Sequence, residues 1–408
     1  MAIPQAELTP SSSSRRLVLA GQIAFLPTGI LTTLLGPMLP ILIARWTMND
    51  TQAGNLFLVQ FLAMLAGVQL SGLLLARWGF RPAFLSGLLL MAYGVATLLM
   101  GSSWLGLASV AVYGLGLGLM IPTDNLLIAE IGTGPDQTSP AISDASSRES
   151  SSASSRASAV SLLNFFWGVG AVFCSLMVAW TAAHKVLPFF LGSVALFLLL
   201  LALAMRNLPF PPAETAAQSS ASSSWRDLAK SPPIWLFAAV FLLYPGAETA
   251  VGGWVGSYVS RLGSRGAAMA SMMPAFFWSA LTLGRALGTA FLRHVSEHHV
   301  LRAGCAAGTA GIALMLWAPS LAGVIAGTLI TGLSFATLYP ITVARLSQRF
   351  GVAARSIGAL MFSLASLGQA VIPWLVGVIS HATGSLRAGL LLPLGATMIL
   401  ILIHLVEW

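Results

Sequence analysis

Apolar residues fall along the chain in twelve long runs, which polar or Ser-rich segments separate. Most runs have about the 17–25 residues that a helix needs to cross a bilayer, and longer runs indicate tilted helices. The pattern therefore predicts twelve transmembrane helices in two sets of six. The predicted spans are residues 17–44, 52–76, 82–101, 104–131, 158–183 and 186–205, followed by 233–260, 266–292, 299–317, 320–348, 354–380 and 386–406.

The composition supports a polytopic, all-α membrane protein. Charged residues make up 8% of the 408 residues, hydrophobic residues make up 57%, and the mean hydropathy is +0.86. Soluble domains carry about 25% charged residues, so this chain has too few charged residues to form the surface of a soluble protein. The net charge of +8 is spread over short loops, which indicates membrane topology rather than nucleic-acid binding.

The Lys and Arg residues are divided unequally between the two sets of predicted loops. Twelve spans place both termini on one side. With the termini inside, fourteen Lys and Arg residues lie in inside loops and five in outside loops. Cytoplasmic loops are enriched in these residues, so we predict cytoplasmic termini. The predicted order is a cytoplasmic tail (1–16), an N-terminal six-helix bundle (17–205) with a disordered Ser-rich loop (132–157), a central linker (206–231) and a C-terminal six-helix bundle (232–408).

The fourth and tenth predicted spans resemble each other, which suggests that the two bundles are pseudo-symmetric. Gly114-Leu115 precedes Pro122 in the fourth span, and Gly332-Leu333 precedes Pro340 in the tenth. Many transporters are built from internal repeats, with solute sites at the repeat interface.

Asp124 lies inside an apolar run. A carboxylate at the centre of a bilayer costs roughly 2.5–3.5 kcal/mol on insertion scales. Such a residue therefore faces a bundle interior or a water-filled cavity. We predict that Asp124 is the coupling carboxylate of a transporter, because a bound proton would neutralise it and permit reorientation. A structural hydrogen bond to a neighbouring helix is the alternative.

Two further charges lie inside predicted spans, Glu248 in the seventh and Arg285 in the eighth. Pro245 and the glycines near Glu248 predict a kinked or unwound segment that lines a cavity. Lone charges are rare in membranes, so Glu248 and Arg285 could pair with each other. Alternatively, Glu248 is a second coupling residue or a solute ligand, with Trp254 supplying a stacking face.

Amide and aromatic side chains recur across several predicted spans. Amides hydrogen-bond hydroxyl groups, and aromatic faces cover the C–H surface of a sugar. Their number predicts a hydrophilic cavity, although each residue alone could bond a neighbouring helix. The solute-binding candidates from this pattern are Gln60, Asn164, Trp167, Trp278, Arg285 and Gln369.

The sequence carries no enzyme signature. A Walker A segment, a His-Glu-x-x-His motif and a Gly-x-Ser-x-Gly motif are all absent. Cys174 and Cys305 lie in apolar runs, and the six histidines lack cysteine partners at metal-binding spacing. We therefore expect neither enzymatic activity nor a metal or other cofactor.

The loop between the second and third spans carries a known signature. It reads Gly72-Leu-Leu-Leu-Ala-Arg77-Trp-Gly79-Phe-Arg81 and resembles the Gly-x-x-x-Asp-Arg-x-Gly-Arg motif of the major facilitator superfamily. The resemblance covers nearly the whole chain and implies that superfamily's fold. It assigns Gly72, Arg77, Gly79 and Arg81 to conformational change, with Ala76 replacing the motif's acid.

Other segments resemble the fucose–proton symporter branch of that superfamily. They include the Asn125 helix, Glu248 through Trp254, Phe277 through Arg285, Leu338 through Ile341 and Gly368 through Pro373. The resemblance adds Asn125, Trp254 and Tyr339 to the solute-binding candidates. It implies a sugar as the solute, and carboxylates in the first and fourth spans that serve sugar and proton binding. Here the first span has no acid, and Asp124 is displaced from the position of the family's glutamate when Asn125 is the anchor.

The sequence thus predicts a monomeric secondary active transporter of the inner membrane, which moves a small polar solute with H⁺ or Na⁺ as the coupling ion. A proton-driven exporter of amphipathic compounds is the alternative within the same class. A transport-inactive sensor or scaffold that binds partners through its Ser-rich loop is the alternative from another class. The direction of transport stays open at this stage.

Overall fold

The computed structural model describes residues 12–131, 145–210, 231–291, 295–351 and 354–405, and within these ranges the regular structure is entirely helical. The first half of the chain contains α1 (Ser12–Thr33), α2 (Leu35–Trp46), α3 (Asp50–Trp78), α4 (Phe80–Thr97), α5 (Ser103–Ile131), α6 (Ala145–Ala183) and α7 (Leu187–Met205). The second half contains α8 (Pro232–Val259), α9 (Ser264–Met269), a 3₁₀ turn (Ala270–Met272), α10 (Met273–Phe291), α11 (Glu297–Trp317), α12 (Leu321–Phe335), α13 (Leu338–Phe350), α14 (Ala354–Thr383) and α15 (Leu386–Leu405).

The predicted all-α class with twelve membrane spans is confirmed. Eleven spans in the described ranges are long and apolar enough to cross a membrane, and the bent pair α1 and α2 provides a twelfth. Most predicted spans match a helix within a few residues. The predicted spans 82–101 and 386–406 correspond to α4 and α15, for example.

Three predicted spans are broken, and in each case a proline explains the position of the break. A proline inside a helix removes a hydrogen bond and clashes with the carbonyl four residues earlier. Pro37 therefore disrupts the helix at Thr33, where α1 ends and the chain bends by 42° into α2. Pro274 acts in the same way between α9 and α10, and Pro340 acts between α12 and α13.

The predicted unwound segment around Glu248 is not observed, because α8 runs without interruption through Pro245. Every residue from Tyr244 to Val259 is buried. The small residues of this segment let neighbouring helices approach α8 closely. A Cβ on Gly246 would lie 2.7 Å from the Gly368 carbonyl oxygen, and a Cβ on Gly252 would lie 2.8 Å from Trp278 Cζ2.

The Ser-rich loop was predicted to be disordered over residues 132–157, and this is wrong for its second part. Helix α6 begins at Ala145 and continues into the membrane span. The segment from Ala145 to Trp167 contains neither Gly nor Pro, so elongation from the span meets no helix breaker. Residues 132–144 and 211–230 lie outside the described residues, so most of the predicted central linker does as well.

The two halves meet along three helix pairs. Helix α3 packs against α14, α6 packs against α10, and α2 packs against α8. The side chains that could contact a solute lie on α6, α8, α10 and α13, close to these contacts. Cys174 in α6 and Cys305 in α11 are buried and free.

Candidate functional site

Glu248 lies near the middle of α8 and accepts a hydrogen bond from the hydroxyl of Tyr244, one turn earlier on the same helix. The Tyr244 hydroxyl also lies 2.8 Å from the carbonyl oxygen of Phe335, the last residue of α12. The ring of Tyr339 stacks on that of Tyr244, with 6.3 Å between ring centroids. The helix break at Pro340 therefore brings a backbone carbonyl and a second tyrosine next to Glu248.

One face of α10 carries three buried polar atoms that have no hydrogen-bond partner among the described residues. They are Trp278 Nε1, Thr282 Oγ1 and Arg285 Nε, and we call them the α10 donor strip. The spacing of four and three residues places them on the same helical face. The strip combines two nitrogen donors with one hydroxyl, so a group that offers acceptor oxygens could satisfy all three.

Helix α6 of the first half faces this strip. The rings of Trp167 and Trp278 meet edge to face with 5.5 Å between their centroids, and the guanidinium carbon of Arg285 lies 5.4 Å from the Trp167 ring centroid. A Cβ on Gly168 would lie 2.6 Å from Thr282 Oγ1. The structure therefore brings Trp167, Glu248, Trp278, Arg285 and Tyr339 into one region, with residues from both halves.

A direct ion pair between Glu248 and Arg285, one of the alternatives that the sequence left open, is not observed. Arg285 interacts electrostatically with Glu248 and with the Tyr244 hydroxyl. However, the ion pair that the described part of the chain forms is between Arg261 and Asp50. Tyr244 supplies the hydrogen bond to the carboxylate that Arg285 was expected to supply.

Asp124 occupies a separate place, on the contact between α5 and α1. Its side chain is 0% exposed, and neither carboxylate oxygen has a hydrogen-bond partner among the described residues. A Cβ on Gly21 of α1 would lie 2.5 Å from Asp124 Oδ1 and 3.0 Å from Ile128 Cδ1. The glycine therefore makes the room in which the carboxyl group lies, against apolar neighbours.

Two predicted solute ligands have their polar groups occupied within the protein. The Gln60 side-chain amide donates to the Thr32 carbonyl oxygen at 3.0 Å, and its oxygen accepts from the Tyr113 hydroxyl at 3.1 Å. Trp254 is buried between α3 and α14, where its indole nitrogen donates to the Pro373 carbonyl oxygen at 2.9 Å. These contacts favour the structural alternative for both residues.

The remaining predicted ligands are more open. The Asn125 side-chain nitrogen donates to the Ile121 carbonyl oxygen within α5 at 2.8 Å. Asn164 is exposed on α6, three residues before Trp167, and Gln369 is half-buried on α14. These three residues remain solute-binding candidates by their positions.

A contact that the sequence reasoning missed joins the two halves at one end of the bundle. Arg261, just beyond α8, donates to both carboxylate oxygens of Asp50 at 3.0 and 2.5 Å, and Ser380 of α14 donates to Asp50 at 2.5 Å. Nearby, Trp374 Nε1 donates to Asn55 Oδ1 at 3.0 Å. We call this end of the bundle the Asp50 end and the opposite end the Arg77 end.

The loop motif lies at the Arg77 end. Gly79 joins α3 to α4 with a φ of 81°, a left-handed conformation that glycine adopts without strain. Arg81 donates to the Arg206 carbonyl oxygen at the end of α7. Arg77 is exposed and lies 5.3 Å from the Trp78 ring centroid, and Gly72 is also exposed.

The sequence profile of the Major Facilitator Superfamily matches residues 23–373. The chain belongs to this superfamily. Its members are transporters, and the twelve-span architecture agrees with that assignment. Membership confirms the resemblance that the loop between α3 and α4 indicated.

Individual relatives are distant. A stretch of 67 residues is 36% identical to Bypass of stop codon protein 6 of Saccharomyces cerevisiae, and covers 16% of this chain and 14% of that protein. The E.coli fucose:proton symporter FucP is 19% identical, with a TM-score of 0.63 over 96% of this chain and 98% of its own. The nucleoside transporter NupG is 15% identical, with a TM-score of 0.72 over 97% and 99%. At these identities the structural likeness establishes the fold.

Proposed function

We propose that the chain is a secondary active transporter that moves a small polar solute, a sugar, by alternating access. The observation that carries this proposal is the meeting of side chains from both halves beside Glu248. Trp167 comes from the first half, and Trp278, Arg285 and Tyr339 come from the second. A relative movement of the two halves would therefore change the contacts of a solute that is bound between them.

Asp124 supports coupling to an ion. An ionised carboxylate without a hydrogen bond is unstable in an apolar contact, whereas a neutral carboxyl group is tolerated there. Protonation would therefore favour the close contact between α1 and α5 at Gly21. In this proposal Asp124 is the coupling residue, the ion is H⁺ or Na⁺, and Glu248 is the second candidate for the same role.

The contact between α3 and α14 supports alternating access. At the Asp50 end, Gly54 lies against the Trp374 carbonyl and Gly377 lies against the backbone of Asp50. At the Arg77 end, Gly72 has no atom of another residue near its Cβ position, and Gly358 meets only its own helix at Phe362. Helices α3 and α14 run antiparallel, and the same register would place Gly72 opposite the start of α14. These two helices could therefore also close the Arg77 end.

The proposed location is the inner membrane, with both termini in the cytoplasm and the chain acting as a monomer. The distribution of Lys and Arg supports this orientation, because it places fourteen residues on the side of the termini and five on the other. The Arg77 end is then cytoplasmic, and the Asp50 end faces outward. With the Asp50 end closed, the structure corresponds to an inward-facing state in this proposal.

Transport in proteoliposomes tests the proposal. The purified chain is reconstituted, and uptake of radiolabelled neutral and acidic sugars (galactose, glucose, fucose, xylose, galacturonate and glucuronate) is measured with an inward proton gradient, with an inward sodium gradient or with neither. Gradient-dependent accumulation of at least one sugar is expected. Protein-free liposomes serve as the control. Equal signals in both preparations for every sugar and gradient would refute the proposal.

The aromatic environment favours one second candidate, an exporter of amphipathic compounds. The Tyr339 ring also lies near Phe241 and Phe362, with centroids 5.8 and 6.5 Å away. Such a cluster suits an apolar ligand with a polar end. Proton-driven efflux of ethidium or rhodamine from the same proteoliposomes, without accumulation of any sugar, would favour this candidate.

A further inference from the structure

The α10 donor strip consists of hydrogen-bond donors that the protein leaves unused. Trp278 is 6% exposed, so its indole nitrogen is withdrawn from bulk water without receiving a protein partner. Buried polar groups are normally satisfied. Three unsatisfied groups on one face of one helix therefore indicate a place that a ligand completes.

Thr282 differs from most threonines of the described helices. Twelve described threonines donate their hydroxyl to a carbonyl three or four residues earlier in the same helix. They are Thr28, Thr32, Thr33, Thr97, Thr123, Thr181, Thr309, Thr328, Thr331, Thr342, Thr383 and Thr397. The Thr282 hydroxyl has no such bond and lies towards Gly168 of α6. The Thr282 hydroxyl can therefore form a hydrogen bond with a ligand, whereas the other twelve are already bonded within their helices.

The chemistry of the strip selects among solutes. A neutral sugar hydroxyl both donates and accepts, so its full satisfaction needs acceptors as well as donors. Trp278 Nε1 and Arg285 Nε cannot accept a hydrogen bond, and only Thr282 can do both. A carboxylate accepts hydrogen bonds without donating any, and arginine binds it with a pair of parallel bonds.

The guanidinium of Arg285 interacts with the Tyr244 hydroxyl and with Glu248, but its Nε has no hydrogen-bond partner among the described residues and can donate to a carboxylate. Glu248 accepts its hydrogen bond from Tyr244 and forms no ion pair with Arg285 within the described chain. Thr282 and Arg285 are half-buried, so neither side chain is fully enclosed. The rings of Trp167 and Trp278 provide apolar faces beside the donors, which suits the C–H surface of a sugar ring.

We infer that the transported solute is a sugar acid, whose carboxylate binds Trp278 Nε1, Thr282 Oγ1 and Arg285 while its ring lies against the tryptophans. This inference rests on the proposed function and narrows its solute class. It assigns Trp278, Thr282 and Arg285 to the discrimination between acidic and neutral sugars.

Matched solutes test the inference on the unaltered full-length chain. Equilibrium binding to purified protein is measured for D-galacturonate against D-galactose and for D-glucuronate against D-glucose, because each pair differs only at C6. We expect at least one acid to bind at least tenfold more tightly than its neutral counterpart. Equal or tighter binding of the neutral sugar in both pairs, or absence of binding by both acids, would overturn the inference.

Conservative variants test the assigned residues. Thr282→Val removes one donor and keeps the shape, and Trp278→Phe removes one donor and keeps an aromatic ring. Arg285→Lys keeps the charge and removes the paired donors. Each should weaken binding of the preferred acid at least threefold, and by a larger factor than it weakens binding of the neutral sugar. Thr328→Val is the control, because that buried hydroxyl already bonds Val324. Unchanged acid binding in all three variants would overturn the assignment.

Uptake of the same four solutes by proteoliposomes distinguishes failure of the inference from failure of the proposed transport function. Gradient-driven uptake of a neutral sugar, with no preference for its acid, would overturn the inference and leave the proposed transport function intact. Absence of gradient-driven uptake for all four solutes, together with efflux of amphipathic dyes, would refute the sugar transporter itself.

Discussion

Arg261 donates hydrogen bonds to both carboxylate oxygens of Asp50, at 3.0 and 2.5 Å, across the boundary between the two halves. The Asp50 side chain is 11% exposed and that of Arg261 is 39% exposed. Paired, charge-assisted bonds of this kind are stronger than single surface pairs. We therefore interpret this contact as one that stabilises the closed Asp50 end.

Asp50→Asn or Arg261→Gln should shift the bundle towards opening at the Asp50 end. Loss of the partly exposed pair should change that equilibrium by about 1–2 kcal/mol. A cysteine at Asn55, next to the pair, should then react faster with a thiol reagent in purified protein. The charge exchange Asp50→Arg with Arg261→Asp should restore part of the original rate. Identical labelling rates in all variants would contradict this interpretation.

Asp124→Asn should abolish gradient-driven accumulation and leave solute exchange between equilibrated compartments largely intact. The amide cannot take up or release a proton, while its shape and burial resemble those of the neutral carboxyl. Thr123→Val is the matched control, because that neighbouring buried hydroxyl only bonds Leu119. Accumulation by the Asp124→Asn protein at the original level would remove Asp124 from the coupling mechanism.

Substitution of the glycines at helix contacts should destabilise the fold. A Cβ on Gly118 would clash with the Met64 carbonyl oxygen, and one on Gly368 would clash with that of Leu242. Ala at either position should lower stability by about 1–3 kcal/mol. Gly192→Ala and Gly395→Ala meet no atom within 4 Å and should stabilise the helix slightly. Thermal unfolding in detergent compares the four, and equal melting temperatures would contradict the packing described.

A double-mutant cycle should separate Tyr244 from Arg285 as the partner of Glu248. The hydrogen bond with Tyr244 predicts that Glu248→Gln and Tyr244→Phe are non-additive by more than about 0.5 kcal/mol. The effects of Glu248→Gln and Arg285→Gln on the free energy of unfolding should be closer to additive, because no direct ion pair links the two side chains. Thermal stability and solute binding are measured together. Strong coupling between Glu248 and Arg285 would show that the expected pair forms after all.

The proposed topology predicts protection of the Ser-rich segment in intact cells. A cysteine at Ser151 should resist membrane-impermeant thiol reagents added outside and react after permeabilisation. A cysteine at Ser264, beyond the other end of the bundle, should react without permeabilisation. The opposite pattern would reverse the proposed orientation.

The helical spans could be predicted from the sequence because composition alone determines whether a segment is stable in a bilayer. The breaks were predictable in part, since Pro37, Pro274 and Pro340 each follow the end of a helix by four or five residues, while Pro122 and Pro373 lie inside unbroken helices. The uninterrupted course of α8 through Pro245 could not, because tertiary packing on every side of that helix decides it.

The candidate site was predictable in part. The positions of Trp278, Thr282 and Arg285 on one helical face follow from their spacing. Their lack of partners depends on how α6 and α8 are oriented against α10, which the sequence does not encode locally. Asp50 was missed because an acid in the first turn of a helix is unremarkable on its own. Its partners Arg261 and Ser380 lie 211 and 330 residues further along the chain.

The burial of both native cysteines has a practical consequence for spectroscopy. Cys174 and Cys305 are each 0% exposed and form no disulfide, so the native thiols should react only slowly with thiol-reactive probes. Cysteines for spin labelling could be introduced at exposed positions such as Gly72 and Phe362 without first replacing the two native cysteines. Pulsed electron paramagnetic resonance would then give the distribution of distances between α3 and α14 in a lipid bilayer, with and without added solute.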